Sequence, residues 1–471
     1  MKDFSITGTY TDLYELTMAQ VYFQTGKSDS EAVFDYFFRT LPFEGGYAVF
    51  AGLADLLEVL QDLHFTGEDL AYLKDDIGLN AGFCERLGDF RFHGTLYAAS
   101  EGEIVFPAEP LLRVEGTLLE AQIIETLLLN ILNFESLIAT KASRLRSVAG
   151  GRTLSDFGLR RAHGMGGYQA TRASIVGGFN STSNVKAAKD LDIPAVGTMA
   201  HSFIQSYDTE LAAFREFAEN RPDACVLLVD TYDTLKSGVP NAITVAKEME
   251  MRSQRLQGIR LDSGDLAYLS KQARKMLDAS GLHYVKITAS NQLDEYVIKS
   301  LLHQQAPIDV FGVGTSLVTC PPDAALDGVY KLAFANGNPR IKLSDNLKKI
   351  TLPHKKQVFR TLNGEGKFFG ADVITLLDDK DPDMMYHPYE PDKSLSIKSL
   401  RKEALMHKVM DKGKIIPNQP SLTAAAAYCQ ERMAMLPEEY TRFENPHIYK
   451  IGISKRLQEE RDKLKNRYDI K

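Results

Sequence analysis

Long apolar runs are missing from this chain. No uninterrupted stretch approaches the roughly 20 residues that a membrane helix requires, and Met1-Lys-Asp-Phe-Ser5 lacks the apolar core of a secretory leader. Cysteine is scarce as well. The four present (Cys84, Cys225, Cys320, Cys429) stand far apart with no CxxC or Cys/His spacing, which argues against a zinc motif and against a disulfide framework. Nor is there an excess of base: 55 Lys and Arg face 62 Asp and Glu, spread along the chain for a net charge of −7. That balance argues against a nucleic-acid surface, which needs clustered positive charge. No internal repeat and no long low-complexity tract occur. The expectation is a cytoplasmic protein with small-molecule substrates, no nucleic-acid partner and no membrane association.

What is present is a large core. At 471 residues, with 44% hydrophobic and 25% charged, the chain predicts two or three globular domains. The first hundred residues mix a helix starting near Thr11-Asp12 with a strand-like Ala32–Phe38 and helical spacing over Ala48–Leu63. Short β-type runs with Gly and Pro fill Phe90–Val114, and a long helical pattern runs from Leu118 to about Val148, ending at Gly150-Gly151 as at a helix C-cap. After Lys331 the chain returns to short β runs and polar turns, then to surface helices near Ala424–Ala427 and Ser454–Lys471. The boundaries read as an N-terminal α/β domain over 1–117, a bridging helix over 118–150, an α/β barrel over 151–330 and a partly β C-terminal region over 331–471 that partly completes the N-terminal domain.

Between 153 and 315 apolar strands alternate with helices. The strands read as Thr153–Phe157, Ala195–Met199, Cys225–Val229, Gly258–Leu261, Val285–Thr288 and Val310–Val313. Strands separated by crossover helices pair in parallel, and this many units at similar spacing favour an irregular α/β barrel. An open doubly wound sheet is the alternative. Nearly every strand ends in polar or glycine-rich residues, and C-terminal strand ends are where parallel α/β folds build sites.

Four strand ends carry candidate chemistry. Arg260 with Asp262-Ser-Gly-Asp265 gathers a cation, two carboxylates and a hydroxyl, a set suited to a sugar diol and a metal-bound pyrophosphate; an Asp N-cap is the plain structural reading of either acid. Gly312-Val-Gly-Thr315 could cradle phosphate on backbone N–H groups, or be a tight turn. Phe157 and Arg160 flank Gly158 and could bind a flat anionic ring. His201 follows the apolar run Ile193–Val196, which reads as a buried strand, and Asp230 and Asp233 at the next strand end are candidates to hold its imidazole.

These stretches, taken together, resemble a known family. Thr11-Asp-Leu-Tyr14, Asp156-Phe-Gly-Leu-Arg-Arg161, Gly177-Gly-Phe-Asn-Ser-Thr-Ser-Asn184, Gly197-Thr-Met-Ala-His-Ser-Phe203, Arg260-Leu-Asp-Ser-Gly-Asp265 and Phe311-Gly-Val-Gly-Thr315 are similar, in order, to motifs of the nicotinate phosphoribosyltransferases. The resemblance implies a type II phosphoribosyltransferase working as a homodimer with shared sites. It would join nicotinate to phosphoribosyl pyrophosphate with Mg²⁺ present, and consume ATP through a phosphohistidine matched by His201. It further implies that Phe157 and, from the other subunit, Tyr14 stack on the pyridine ring. Arg160 and Arg260 would bind phosphate, pyrophosphate or the ring carboxylate, and Asp262 the ribose and metal-linked region. Ser290 and Asn291 would bind the sugar, Gly312, Gly314 and Thr315 the 5′-phosphate, and Lys331 would reach it across the dimer. Asp230, Asp233 and Asp265 would support them. Ser183 stands where related nicotinamide enzymes carry an acid, which implies nicotinate over nicotinamide.

Three other readings stay open at this point. They are a phosphoribosyltransferase for nicotinamide or quinolinate, a barrel isomerase or aldolase acting on a phosphosugar, and a non-catalytic metabolite-binding barrel.

Overall fold

The computed structural model describes residues 5–346, 349–390 and 392–468. Residues 1–4, most of the N-terminal stretch Met1–Ser5, and 469–471 of the expected C-terminal helix lie outside the described residues. The chain divides into two compact units, Met1–Leu137 with Ala325–Lys471, and Ile138–Ala324.

In the first unit, strand Glu31–Phe38 is buried along nearly its whole length and pairs antiparallel with Leu112–Thr117 on one side and Gly328–Ala335 on the other. It lies inside a seven-stranded sheet. A six-stranded sheet built from the C-terminal region packs its own core of Val358, Ile374, Leu405, Met406, Ile453 and Leu457. The expected helix over Ala48–Leu63 is shorter. Ala48–Val49 pairs as a strand with Ile104–Val105, and the helix proper is Leu53–Asp62, because Gly52 at φ 92° breaks helical geometry just before it. The long helical pattern likewise forms two helices, Leu118–Ile123 and Glu125–Ala149, the second stopped by Gly150 at φ 57°. Among the described residues no helix is long and apolar enough to cross a membrane.

The second unit holds six parallel strands, five of them at expected places and one, Ser181–Thr182, not expected. We label them β1 (Thr153–Asp156), β2 (Ser181–Thr182), β3 (Val226–Leu228), β4 (Gly258–Leu261), β5 (Lys286–Ser290) and β6 (Val310–Val313). Their order is β2-β1-β6-β5-β4-β3, with every neighbouring pair parallel. The first strand in the chain therefore pairs with the last, as in a barrel, and the circle is open between β2 and β3. The expected strand Ala195–Met199 falls in that opening and does not form. A single bridge joins Thr182 to Ala195, and residues 194–197 are exposed rather than buried. Without a neighbour on its far side this segment has no ladder to complete, so it runs on as loop into the short helix His201–Gln205.

Candidate active site

The C-terminal ends of β1 and β2, the loop after β2 and Arg260 of β4 form an open cleft of about 350 Å³ lined by Phe157, Leu159, Arg160, Ser183, Gly197–Ala200 and Arg260. Arg260 is the hub. Its Nε donates to Ser290 Oγ at 2.8 Å, Nη1 to Thr198 Oγ1 at 3.0 Å, and Nη2 to Asp262 Oδ1 at 2.7 Å. The guanidinium also lies 5.5 Å from the centre of the Phe157 ring, within cation–π reach. Ser290 donates a second short bond to Asp262. Burial alone would raise the Asp262 carboxyl, but the Ser290 hydrogen bond and the Arg260 charge outweigh it, with His201 adding to them, and hold it below its ordinary value. The pair thus presents a permanent cation and a permanent anion at one strand end.

Phe157 owes its position to its neighbours. Its N–H donates to Val313 O at 2.8 Å, and any Cβ on Gly312 would come within 2.5 Å of its ring. Glycine at 312 is therefore explained by close packing. A Cβ on Gly314 would lie 3.1 Å from Phe157 O, so the same loop crowds that position too. Gly314 precedes the short helix Thr315–Thr319. Asn291, just past β5, sits at φ 78°, a conformation uncommon outside glycine and most common in Asn, Asp and His. Arg160 is exposed beside the cleft.

His201 is half-buried, and its Nδ1 lies 3.1 Å from Thr231 Oγ1. The expected carboxylate partner is replaced by a hydroxyl. Asp230 accepts instead from Asp262 N and Ser263 Oγ, both at 2.7 Å, which ties the β3 end to the β4 end. Asp233 caps the turn after it, accepting from Leu235 N and Lys236 N, and these backbone bonds hold its carboxyl low. Asp265 takes its structural role, N-capping helix Leu266–Ala279 through Tyr268 N at 3.0 Å.

Tyr14 and Lys331 belong to the first unit. Tyr14 is 48% exposed, and burial of its hydroxyl with the charges of Glu125 and Glu15 pushes it up to about 12. Lys331 pairs with Glu125 at 3.8 Å; burial lowers it while Glu125 partly restores it.

Two residues of this site escaped the sequence reading, Thr198 and Thr231. Both lie inside stretches already singled out, Gly197–Phe203 and Asp230–Asp233, but a threonine there carries no local signal of its partner. The four cysteines are buried thiols, far from thiolate chemistry: burial pushes Cys225, Cys320 and Cys429 up to about 12.

A parallel barrel with cation, carboxylate, hydroxyls and an aromatic wall at its strand ends has the chemistry suited to anionic, hydroxyl-bearing small molecules. Comparison with known proteins narrows this. The family model for the nicotinate phosphoribosyltransferase family matches residues 152–368, and the models for its N-terminal and C-terminal domains match 9–133 and 355–461. The nicotinate phosphoribosyltransferase of Bacillus subtilis is 45% identical over 462 residues, covering 96% of this chain and 94% of that one. The Dictyostelium discoideum enzyme of the same name is 38% identical over 96% of this chain and 87% of its own. The crystal structure of human nicotinic acid phosphoribosyltransferase matches with a TM-score of 0.86 at 31% identity, over 96% of this chain and 99% of that one. The chain belongs to the nicotinate phosphoribosyltransferase family.

Proposed function

We propose that this chain joins nicotinate to phosphoribosyl pyrophosphate, giving nicotinate mononucleotide and pyrophosphate in the salvage of pyridine nucleotide for NAD. The observation that carries the reading is the Arg260–Asp262–Ser290 cluster beside the Phe157 ring, with Arg260 and the aromatic face lining one cleft. As the bond from C1′ to pyrophosphate lengthens, the ribose gains oxocarbenium character and the leaving group gains charge. Arg260 and Arg160 stabilise that charge, Asp262 and Ser290 hold the ribose hydroxyls with Asn291, and Phe157 aligns the ring nitrogen for attack. The ring carboxylate meets the Ser183 hydroxyl, a donor. Gly312, Gly314 and Thr315 receive the 5′-phosphate. Tyr14 and Lys331 join the site from a second copy in a homodimer.

Mg²⁺ fits this set as a substrate-borne ion. Among the described residues no group of three or more His, Cys, Asp or Glu is arranged to hold a metal alone, and Mg²⁺ normally takes one or two carboxylates and completes its shell with water and phosphate oxygens. Asp262 is the residue that would hold it. Bound with the diphosphate, the ion supplies positive charge to the leaving group.

ATP coupling runs through His201. A ring nitrogen lone pair bonds the terminal phosphorus of ATP as the bond to ADP breaks, and water later cleaves the N–P bond to release phosphate. The new charge alters the diphosphate region of the cleft in between. Thr231 holds the ring for this step. A panel of nicotinate, nicotinamide and quinolinate, each with phosphoribosyl pyrophosphate and with or without Mg-ATP, tests the reading. Nicotinate mononucleotide formed fastest from nicotinate, and faster with ATP, is the expected result. Acid-labile phosphate mapped to His201 and diminished in Thr231→Val tests the coupling; nicotinate turnover without that label would remove the phosphohistidine and keep the transfer.

A further inference from the structure

Behind the ring-binding wall lies a carboxylate that the mechanism above does not use. Asp156, at the end of β1, is 1% exposed. Its Oδ1 accepts from Gly158 N at 2.8 Å, and its Oδ2 from Thr171 Oγ1 at 2.7 Å and Thr182 Oγ1 at 2.8 Å. Burial raises this carboxyl, and the three bonds partly offset the shift.

The bonds reach both sides of the cleft. The one to Gly158 N fixes the turn between Phe157 and Arg160, where Gly158 is itself pinned: a Cβ there would meet Val318 at 2.2 Å. The one to Thr182 fixes the residue before Ser183. Thr182 Oγ1 also accepts from Asn184 N at 3.0 Å, and the Asp156 main-chain carbonyl accepts from Ser183 N at 2.8 Å. Ser183 is therefore held at its own nitrogen, on its N-terminal side and on its C-terminal side, and all three restraints lead to Asp156. The cleft lining takes Phe157, Arg160 and Ser183 from two separate chain segments, 157–160 and 183. Beside the backbone pairing of β1 with β2, the side chain of Asp156, which does not itself line the cleft, ties these two segments to each other.

We infer that Asp156 is a positioning residue for the pyridine ring. Through Gly158 and Thr182 it sets the distance between the aromatic face and the Ser183 hydroxyl, and so governs both nicotinate affinity and the preference for a carboxylate over an amide. This rests on the nicotinate reading given above. Loosening the link misplaces one wall relative to the other and leaves the Arg260 cluster, which Asp156 does not touch, in place.

The test uses full-length Thr182→Val, Thr182→Ser, Thr171→Val and Asp156→Asn, with thermal unfolding and KM for each substrate. Thr182→Val is close to isosteric but cannot donate to Asp156. It is expected to raise the nicotinate KM by about tenfold, the scale of one lost buried hydrogen bond, with the KM for phosphoribosyl pyrophosphate changed less than about twofold. The nicotinate-to-nicotinamide preference should fall with it, and Thr182→Ser should restore both. A folded Thr182→Val with unchanged nicotinate KM and preference would overturn the inference. So would equal rises in both KM values, which would mark general damage. Should Asp156→Asn not fold, the Thr182 pair and Thr171→Val carry the test. A folded wild-type protein that makes no nucleotide from nicotinate overturns the functional reading itself, a result distinct from any difference among the variants.

Discussion

Arg260 and Asp262 face one another at 2.7 Å from positions two apart at the end of β4, and the same guanidinium reaches Ser290 and Thr198 with its remaining nitrogens. Three acceptors on three chain segments need a rigid fork. Lysine offers a single point charge on a flexible stem and can satisfy only part of that set. Arg260→Lys should therefore lower kcat/KM by roughly 100-fold or more, the scale seen when one preorganised charge-stabilising donor is lost. Arg260→Ala should do no better, although it makes the site less charged. Steady-state kinetics with both substrates measure this, and a Lys variant within a few fold of wild type would show that only charge matters at 260.

Ser183 lines the same cleft as Phe157 and Arg160. A serine hydroxyl donates to a carboxylate, whereas an aspartate repels one and accepts from an amide. Ser183→Asp should shift the ratio of kcat/KM for nicotinate over nicotinamide by on the order of 100-fold toward the amide, since like-charge juxtaposition costs several kcal/mol. Competition assays with both bases give the ratio directly. An unchanged ratio would remove Ser183 from substrate choice.

Much of this was legible in the sequence where local pattern and global role coincide. Gly258–Leu261 and Val310–Val313 are apolar runs bounded by Gly or Asp, and both form strands whose polar ends carry the site. β2 was not legible, because Ser181-Thr182 has no apolar signature; its strand character comes from pairing with Ser155 and Asp156. Ala195–Met199 misled in the opposite sense, having the composition of a strand but no neighbour on one side. Thr198 and Thr231 were invisible for a different reason. Their partners lie 62 and 30 residues away, and a hydroxyl declares its acceptor only once the chain is folded.

Glu15 in the first unit is wholly buried, with Thr11 and Thr126 donating to it, Thr126 by its hydroxyl at 2.7 Å and its N–H at 2.9 Å. Burial, with a contribution from the Glu125 charge, pushes its carboxyl up to about 7 against those hydrogen bonds. The folded state therefore holds a proton that the unfolded chain releases near its ordinary value. Stability from this group is fully present below that value and is lost as pH rises through about 7. The loss is on the order of 3–4 kcal/mol. Glu15→Gln cannot titrate, so urea unfolding at pH 5, 6, 7 and 8 should show the variant gaining on wild type across this window. A constant difference would mean that Glu15 is already ionised at pH 5.

Arg360 is fully buried and bonded to Glu103 and, at 2.8 Å, to Asp372, with Glu109 3.9 Å away. Phe368 and Phe106 flank the guanidinium at 4.4 and 5.4 Å, and Tyr449 donates to Asp372 at 2.8 Å. Glu103 precedes the C-terminal sheet by more than two hundred residues, so this ion cluster fixes two distant stretches of the first unit to each other. Burial and the neighbouring Asp372 charge push the Glu109 carboxyl well up, against the Arg360 charge that draws it down. Arg360→Met fills the space but leaves Glu103 and Asp372 sharing the interior with one fewer cation. It should cost about 3–5 kcal/mol, read as a lower midpoint in chemical denaturation. Arg360→Lys should recover only part of that, because one ammonium cannot span both carboxylates. Adding Asp372→Asn to Arg360→Met should return some stability, since it removes one stranded charge. If the double variant is instead less stable than the single, the penalty comes from lost packing around Phe368 rather than from uncompensated charge.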